Sequence, residues 1–134
     1  MQRDEDGLTT AECWELVRSM SVGRLALSIS ALPAILPVQY YVDGDELAVC
    51  LGHFAVAGRS IDDAVVAFAV DNVSATSDGW TVQVQGTART EKVLGTPTQC
   101  GQPTAGQIVH LEPVIITGHR IRLCPLESAL NDLI

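Results

Sequence analysis

The chain has 134 residues, of which 47% are hydrophobic and 18% are charged, and this composition excludes an intrinsically disordered protein. Sixteen Asp and Glu outnumber eight Lys and Arg, so the formal charge of −8 disfavours binding to nucleic acid. No apolar run approaches the ~18 residues of a spanning helix, and the N-terminus has no apolar signal core. We therefore expect one cytoplasmic domain over residues 1–134 that does not enter a membrane.

The first predicted element is an amphipathic helix over residues 10–20, after a flexible N-terminus over residues 1–8. Thr9 and Glu12 match a capping box, in which each side chain bonds the other residue's backbone N–H. The residues that follow at helical spacing are apolar: Cys13, Leu16, Val17 and Met20.

Three predicted strands follow the helix, with the sequences VGRLALSIS, AILPVQYYV and ELAVCL. The sequence DGD between the last two predicts a hairpin turn. Pro37 lacks an N–H group, so it must lie at a sheet edge or at a bulge. A short helix is expected over residues 53–62.

The second half of the chain adds three more predicted strands. VVAFAVD is expected to be buried on both faces, because its apolar run is continuous. WTVQVQGTARTEKV alternates, and Gly86 inside it predicts a bulge. Residues 94–107 form the loop expected to be most mobile, and IVHLEPVIITGHRIRL returns to strand before a possible terminal helix, LESALNDLI. Six or seven strands at this length predict a small, mainly β barrel.

Metal binding is not expected, because neither the cysteines nor the histidines show ligand spacing. Cys13 and Cys50 lie in apolar patterns and are predicted to be buried thiols. The remaining residues of these types are far apart in the sequence: Cys100, Cys124, His53, His110 and His119.

Five stretches in order carry a resemblance to a known family: SVGRLALS, P-x-x-x-PVQYYVDGDEL, VVAFAVD, GWTVQVQGTAR and VIITGHRI. Together they resemble the pyridoxamine 5′-phosphate oxidase-like family over residues 9–122, with residues 123–134 as a C-terminal extension. The resemblance implies a six-stranded Greek-key split β-barrel with short helices. It also implies a homodimer with FMN in a groove at the dimer interface.

In that family the FMN phosphate is held by an Arg-Thr pair at a strand end and by a Lys in a Gly-x-Lys turn. Counted back from VVAFAVD without a gap, the matching positions here are Cys50, Leu51, Phe54 and Val56. None carries the family residue. Losing two charge-assisted contacts would cost about 3–6 kcal/mol, so the resemblance implies a weakened FMN phosphate site.

Two arginines are candidates to replace the lost phosphate contacts. Arg59 follows Val56 by one helical turn, and its alternative role is a solvated cation near Asp62 and Asp63. Arg120 lies where many relatives carry an arginine pair, and its alternative is a surface strand end. Arg24 in SVGRL is interpreted as half of a structural ion pair.

The remaining cofactor-binding candidates are uncharged. Val38, Gln39 and Tyr40 lie in the segment that resembles the family's flavin-facing strand, where Gln39 would bond a flavin edge and Tyr40 would cover a ring. Trp80 would wall the cofactor groove. For Gln39 and Tyr40 the alternative is an ordinary role in the barrel, and for Trp80 it is a packing anchor.

Three functions remain open at this point. The first is a flavin-dependent oxidoreductase acting on an unidentified small molecule in the interface groove. The second is a non-catalytic dimeric module that has lost FMN and binds another ligand or partner. The third is a deazaflavin-dependent reductase, ranked last because that cofactor's long anionic tail suits an acidic chain poorly. No catalytic residue is assigned, because in flavin enzymes the cofactor carries most of the chemistry.

Overall fold

A computed structural model describes residues 7–52, 61–75, 78–92 and 107–123. The elements in chain order are α1 (Thr10–Arg18), β1 (Val22–Ile29), β2 (Leu32–Asp43), β3 (Glu46–Cys50), β4 (Val65–Asn72), β5 (Asp78–Lys92) and β6 (Gln107–Arg122). The strands close into an antiparallel barrel in the order β1-β2-β3-β6-β5-β4, which confirms the predicted fold class. Within these ranges, no helix has the length and apolarity needed to cross a membrane.

The capping box predicted for α1 is present. The Thr9 hydroxyl accepts the Glu12 N–H at 3.1 Å, and the Glu12 carboxylate accepts the Thr9 N–H at 2.9 Å. The helix ends at Arg18, and Ser19 caps its C-terminus. It buries Cys13 and Val17 against the barrel, as the helical spacing predicted.

The pairing of β2 with its two neighbours explains how this strand accommodates a proline. The turn between β2 and β3 passes through Gly44, whose positive φ of 64° suits a residue without Cβ. β2 pairs with β1 over residues 32–39, whereas its pairing with β3 begins only at Gln39. Pro37 therefore lies where β2 has one neighbour, and the predicted edge position is confirmed.

The barrel core is built around Phe68 on β4. Its ring meets the Tyr40 ring edge to face, with the centroids 4.7 Å apart. A Cβ on Gly23 would lie only 2.3 Å from Phe68 Cζ. The glycine of the SVGRL stretch is thus required by packing, because any side chain there would displace the central aromatic ring.

The prediction that β4 is buried on both faces is wrong. Val66, Phe68 and Val70 point into the core, whereas Val65 on the outer face is 80% exposed. The outward Ala67 and Ala69 are half-buried. A continuous apolar run is compatible with two kinds of strand. One is covered on both faces, and the other has an apolar outer face that no part of the described chain covers.

The bulge predicted at Gly86 is confirmed. The register of β5 with β6 shifts between Gln85 and Gly86, which pair with Ile115 and Pro113. Val114 is the extra residue on β6. A Cβ on Gly86 would lie 2.0 Å from the Glu112 carbonyl oxygen, so the close approach of the strands requires glycine.

Cys13 is a buried free thiol, as predicted, and burial raises its pKa. The prediction of a free thiol at Cys50 is wrong, because Cys50 is in a disulfide whose partner lies outside the described residues. Also outside them lie residues 53–60 of the predicted short helix, nearly all of the loop over residues 94–107, and the possible terminal helix.

Candidate functional site

The N-terminal strap, residues 7–9, closes one end of the barrel together with α1. Gly7 bridges to His119, and the Leu8 N–H donates to the Gly118 carbonyl at 2.9 Å. A Cβ on Gly118 would lie 2.7 Å from Cys13 Sγ and 3.0 Å from the Leu8 side chain. Gly118 therefore allows the helix and the strap to pack on β6. Gly7 and Leu8, expected to be flexible, are held by the sheet.

A cavity of about 330 Å³ lies between this cover and the barrel end, and we call it the mouth cavity. Trp80 on β5 is paired with Arg120 on β6, and both residues line the floor of the mouth cavity. Its lining combines apolar and charged side chains: Leu8, Glu12, Glu15, Leu16, Asp78, Gly79, Trp80 and Arg120. The structure thus brings together two of the predicted site residues, Trp80 and Arg120.

Next to the mouth cavity, Arg120 and Arg122 form a cationic edge that we call the arginine shelf. It borders a second cavity of about 410 Å³ that shares Asp78 and Arg120 with the first. Arg120 donates to Glu12 at 3.3 Å, and Arg122 donates to the two Asp78 carboxylate oxygens at 2.8 and 3.2 Å. The guanidinium side chains remain 56% and 78% exposed, so solvent and ligands can reach both.

The two carboxylates on the shelf stay ionised at neutral pH. The Thr9 backbone N–H, followed by its hydroxyl and by Arg120, holds the pKa of Glu12 below its usual value. The hydrogen bonds from Arg122 lower the pKa of Asp78. Arg120 therefore shares its charge with Glu12, and Arg122 shares its charge with Asp78.

Most of the cofactor-binding candidates on β2 and at the end of β3 are buried in the barrel core. Val38, Tyr40, Cys50 and Leu51 are all buried. The Tyr40 hydroxyl donates to the Val17 carbonyl, and burial raises the pKa of Tyr40 to about 12. These contacts favour the packing role that was the alternative for Tyr40.

Gln39 is the exposed residue among the predicted group on β2. It pairs with Val22 and Cys50, and β1 and β4 separate it from Trp80 on β5. A third cavity, of about 340 Å³, lies beside Tyr40. Its cation is Arg18, which stacks over the Trp14 ring at 5.8 Å from the centroid. The predicted residues thus fall into two separate regions.

Two residues considered for the phosphate site, Val56 at a lost contact position and Arg59 as its candidate replacement, lie outside the described residues. The interpretation of Arg24 as half of an ion pair is wrong within the described part of the chain: Arg24 is exposed on the outer face of β1, beside Pro37 and Ala69. In the same ranges, no cluster of three His, Cys, Asp or Glu side chains could hold a metal ion.

Sequence reasoning missed most of the charged residues that surround Trp80 and Arg120. Glu12 had been interpreted only as a capping residue, and Glu15 and Asp78 carried no recognisable motif. Arg122 had a usable signal, because residues two apart on a strand share a face and Arg120 was already a candidate.

The model of the family described as pyridoxamine 5′-phosphate oxidase matches residues 9–95. The FAD-binding protein from Mycobacterium smegmatis is similar at 26% identity and a TM-score of 0.66, covering 87% of this chain and 97% of that one. A putative pyridoxamine 5′-phosphate oxidase from Corynebacterium glutamicum is similar at 23% identity and 0.64, covering 92% and 97%. A FAD-binding protein from Mesorhizobium loti is similar at 18% and 0.63, covering 85% and 94%. No curated protein matches.

Proposed function

Because the chain belongs to the pyridoxamine 5′-phosphate oxidase family, as its five sequence stretches predicted, we propose that it binds a flavin nucleotide and acts as a flavin-dependent oxidoreductase on a small molecule. The observation that carries the proposal is the arginine shelf beside a cavity walled by Trp80. The M. smegmatis protein at 26% identity is described as FAD-binding, which supports a flavin ligand.

The proposed place for the flavin phosphates is the arginine shelf. At the end of β3, Cys50 is in a disulfide and Leu51 is buried, so neither side chain offers a charged donor. Arg120 and Arg122 instead lie two residues apart on one face of β6, about 7 Å between Cα atoms. Guanidinium forks bind phosphate oxygens in pairs, and two such groups suit a pyrophosphate. We therefore propose FAD rather than FMN.

When bound, the flavin would supply the electron-transfer chemistry. The residues of this chain would hold and orient it. Arg120 and Arg122 would anchor the phosphates, while Trp80 and Leu16 exclude water from the adjoining mouth cavity. Asp78 would remain bonded to the Nε–H and Nη2–H groups of Arg122 and keep its plane in position, whereas Glu12 would compete with the ligand for Arg120.

Titration of the purified protein with FAD, FMN and riboflavin tests the proposal. Flavin absorbance and fluorescence quenching report binding. We expect FAD to bind at least tenfold more tightly than riboflavin, which lacks phosphate, and more tightly than FMN. Equal affinity for the three would contradict phosphate recognition by the shelf, and no binding of any would contradict the function.

A specific observation favours the second candidate, a non-catalytic barrel that has lost its flavin. The β3 end carries a disulfide and buried apolar side chains where the family holds phosphate. The same titration separates the candidates, because a non-catalytic module of this kind binds none of the three flavins.

We also propose that the chain is a homodimer. One row of outward residues runs in register across five strands without a charge: Ile35, Ala26, Ala67, Gln85 and Ile115. Ile35 is 68% exposed, and the neighbouring Val65 and Val114 are 80% and 74% exposed. An uncovered apolar face of this kind is typical of an interface, and a second copy supplies the same surface.

Sedimentation velocity tests the proposed dimer. The wild type should sediment as a dimer at micromolar concentration, and Ile35→Lys should shift it to monomer. A monomeric wild type would contradict the proposal.

A further inference from the structure

The mouth cavity differs in charge from the arginine shelf beside it. Three of its lining residues carry carboxylates, and one carries a guanidinium group. The carboxylates are those of Glu12, Glu15 and Asp78, and the cation is Arg120. A cavity with this lining attracts positive charge, whereas the shelf attracts negative charge.

One of the three carboxylates has no charged partner among the residues that the structure describes. Glu12 accepts the Thr9 N–H and the Arg120 guanidinium, and Asp78 accepts two bonds from Arg122. Glu15 stands one helical turn after Glu12 on the same face of α1. Its carboxylate makes no ion pair or hydrogen bond with any residue in the described ranges.

The rest of the lining is formed by Gly79 and by three apolar side chains. Trp80 is half-buried and packs against the core, and Leu8 and Leu16 close the sides next to it. The face of an indole ring attracts a cation within about 6 Å of its centroid. A ligand for this cavity thus needs an apolar body and one positive charge.

We propose that the mouth cavity binds a small organic cation, such as an alkylammonium or arylalkylammonium ion. Its charged nitrogen lies between the Glu15 carboxylate and the Trp80 ring, and its apolar body contacts Leu8 and Leu16. The volume of about 330 Å³ falls within the usual range for small-molecule sites.

The role of this cation as substrate rests on the proposed flavin function, but its binding does not. The cavity residues belong to α1, the strap, β5 and β6. If flavin phosphates occupy the shelf, an anion and a cation lie side by side across Asp78 and Arg120, which the two cavities share. Each then favours binding of the other.

Calorimetric titration of the flavin-free protein at pH 7 and low salt tests the proposal with three compounds of nearly the same shape. These are 2-phenylethylammonium, the neutral 2-phenylethanol and the anionic phenylacetate. We expect the ammonium ion to bind about three- to tenfold more tightly than the alcohol, and phenylacetate to bind most weakly. Added salt should weaken the binding of the ammonium ion alone. Equal affinity for all three compounds would overturn the proposal.

Substitutions show which residues cause the preference for the ammonium ion over the alcohol. Glu15→Gln should remove the preference for the ammonium ion over the alcohol, and Trp80→Leu should reduce it. Glu112→Gln is the matched control, because Glu112 is an exposed carboxylate on β6 more than about 20 Å along the strand from Arg120. A preference that survives Glu15→Gln, or that falls equally in Glu112→Gln, contradicts the site.

The flavin titration separates the two proposals. If the ammonium ion is preferred while no flavin binds, the cation site stands and the flavin function fails. If FAD binds while the three aryl compounds bind equally, the cation site alone fails.

Discussion

The β2–β3 region and the barrel mouth were both predicted to bind the cofactor, and the structure separates them by what covers each. In the β2–β3 region, Val38 and Tyr40 point inward beneath packed side chains. At the mouth, Trp80 and Arg120 lie at strand ends beyond the closed core, where α1 covers them only in part. The two regions therefore differ in whether the side chains of an inward row lie inside the closed core or beyond its end.

The two regions also differ in the charged groups that they contain. The predicted residues of the β2–β3 region carry no charged group, and the Tyr40 hydroxyl is already bonded to Val17. The mouth combines Glu12, Asp78, Arg120 and Arg122 in exposed ion pairs. Exposed pairs stabilise a fold little, so mutations should affect mainly stability in the first region and mainly binding in the second.

The largest expected effect is on the core of the sealed region. Phe68→Ala should lower the free energy of unfolding by about 3–5 kcal/mol, because it removes the ring that Gly23 and Tyr40 pack against. Asp71→Ala on the same strand is the control, since Asp71 is exposed and lies outside the proposed dimer row, and a surface change should stay within about 0.5 kcal/mol. Urea unfolding measures both. A loss below about 1 kcal/mol for Phe68→Ala would contradict the packing described.

A smaller effect is expected at Tyr40. Tyr40→Phe should cost about 1 kcal/mol at pH 7, because the hydrogen bond to the Val17 carbonyl is lost. The pKa of Tyr40 is raised from 10.0 to about 12, so the associated stability is fully present below pH 10 and is lost as the pH rises through about 12. Unfolding measured at pH 7 and at pH 11 should show a smaller alkaline loss in the variant than in the wild type. An identical loss would mean that Tyr40 is not the group that titrates.

Most of the fold was predictable because its signals are local. The capping box of Thr9 and Glu12, the DGD turn and the glycine bulge at Gly86 each depend on residues that are near one another in sequence or on alternation along one strand. The structure adds reasons that the sequence does not show. Gly23 is a glycine because Phe68, on another strand, occupies the space where its side chain would lie.

The candidate site was predictable only in part, because its contacts join distant residues. Trp80 and Arg120 were selected from their strands, but the Glu12–Arg120 pair spans 108 positions. The sealed state of Tyr40 also depends on Val17 and Phe68, which belong to α1 and β4. Residues of other elements, such as Val17 and Phe68, decide which face of β2 is covered. The sequence pattern of β2 alone does not identify them.

The smallest expected effect concerns Glu12. Glu12→Gln retains a side chain that can cap the Thr9 N–H but removes the charge that competes for Arg120. FAD affinity should therefore rise by about two- to fivefold at low salt, and the gain should disappear at high salt. The melting temperature should change much less than in Phe68→Ala. Weaker FAD binding in this variant would show that Glu12 orients Arg120 rather than competing with the ligand.

The most direct measurement compares FAD affinity in the wild type with that in the double variant Arg120→Gln/Arg122→Gln. Arg89→Gln is the matched control, because Arg89 is a 59% exposed arginine on β5 that pairs with Glu46 away from the mouth. If the shelf holds the flavin phosphates, the double variant should bind FAD at least tenfold more weakly, whereas Arg89→Gln stays within about twofold of the wild type. Unchanged FAD affinity in the double variant would contradict the assignment of the phosphate site to the barrel mouth.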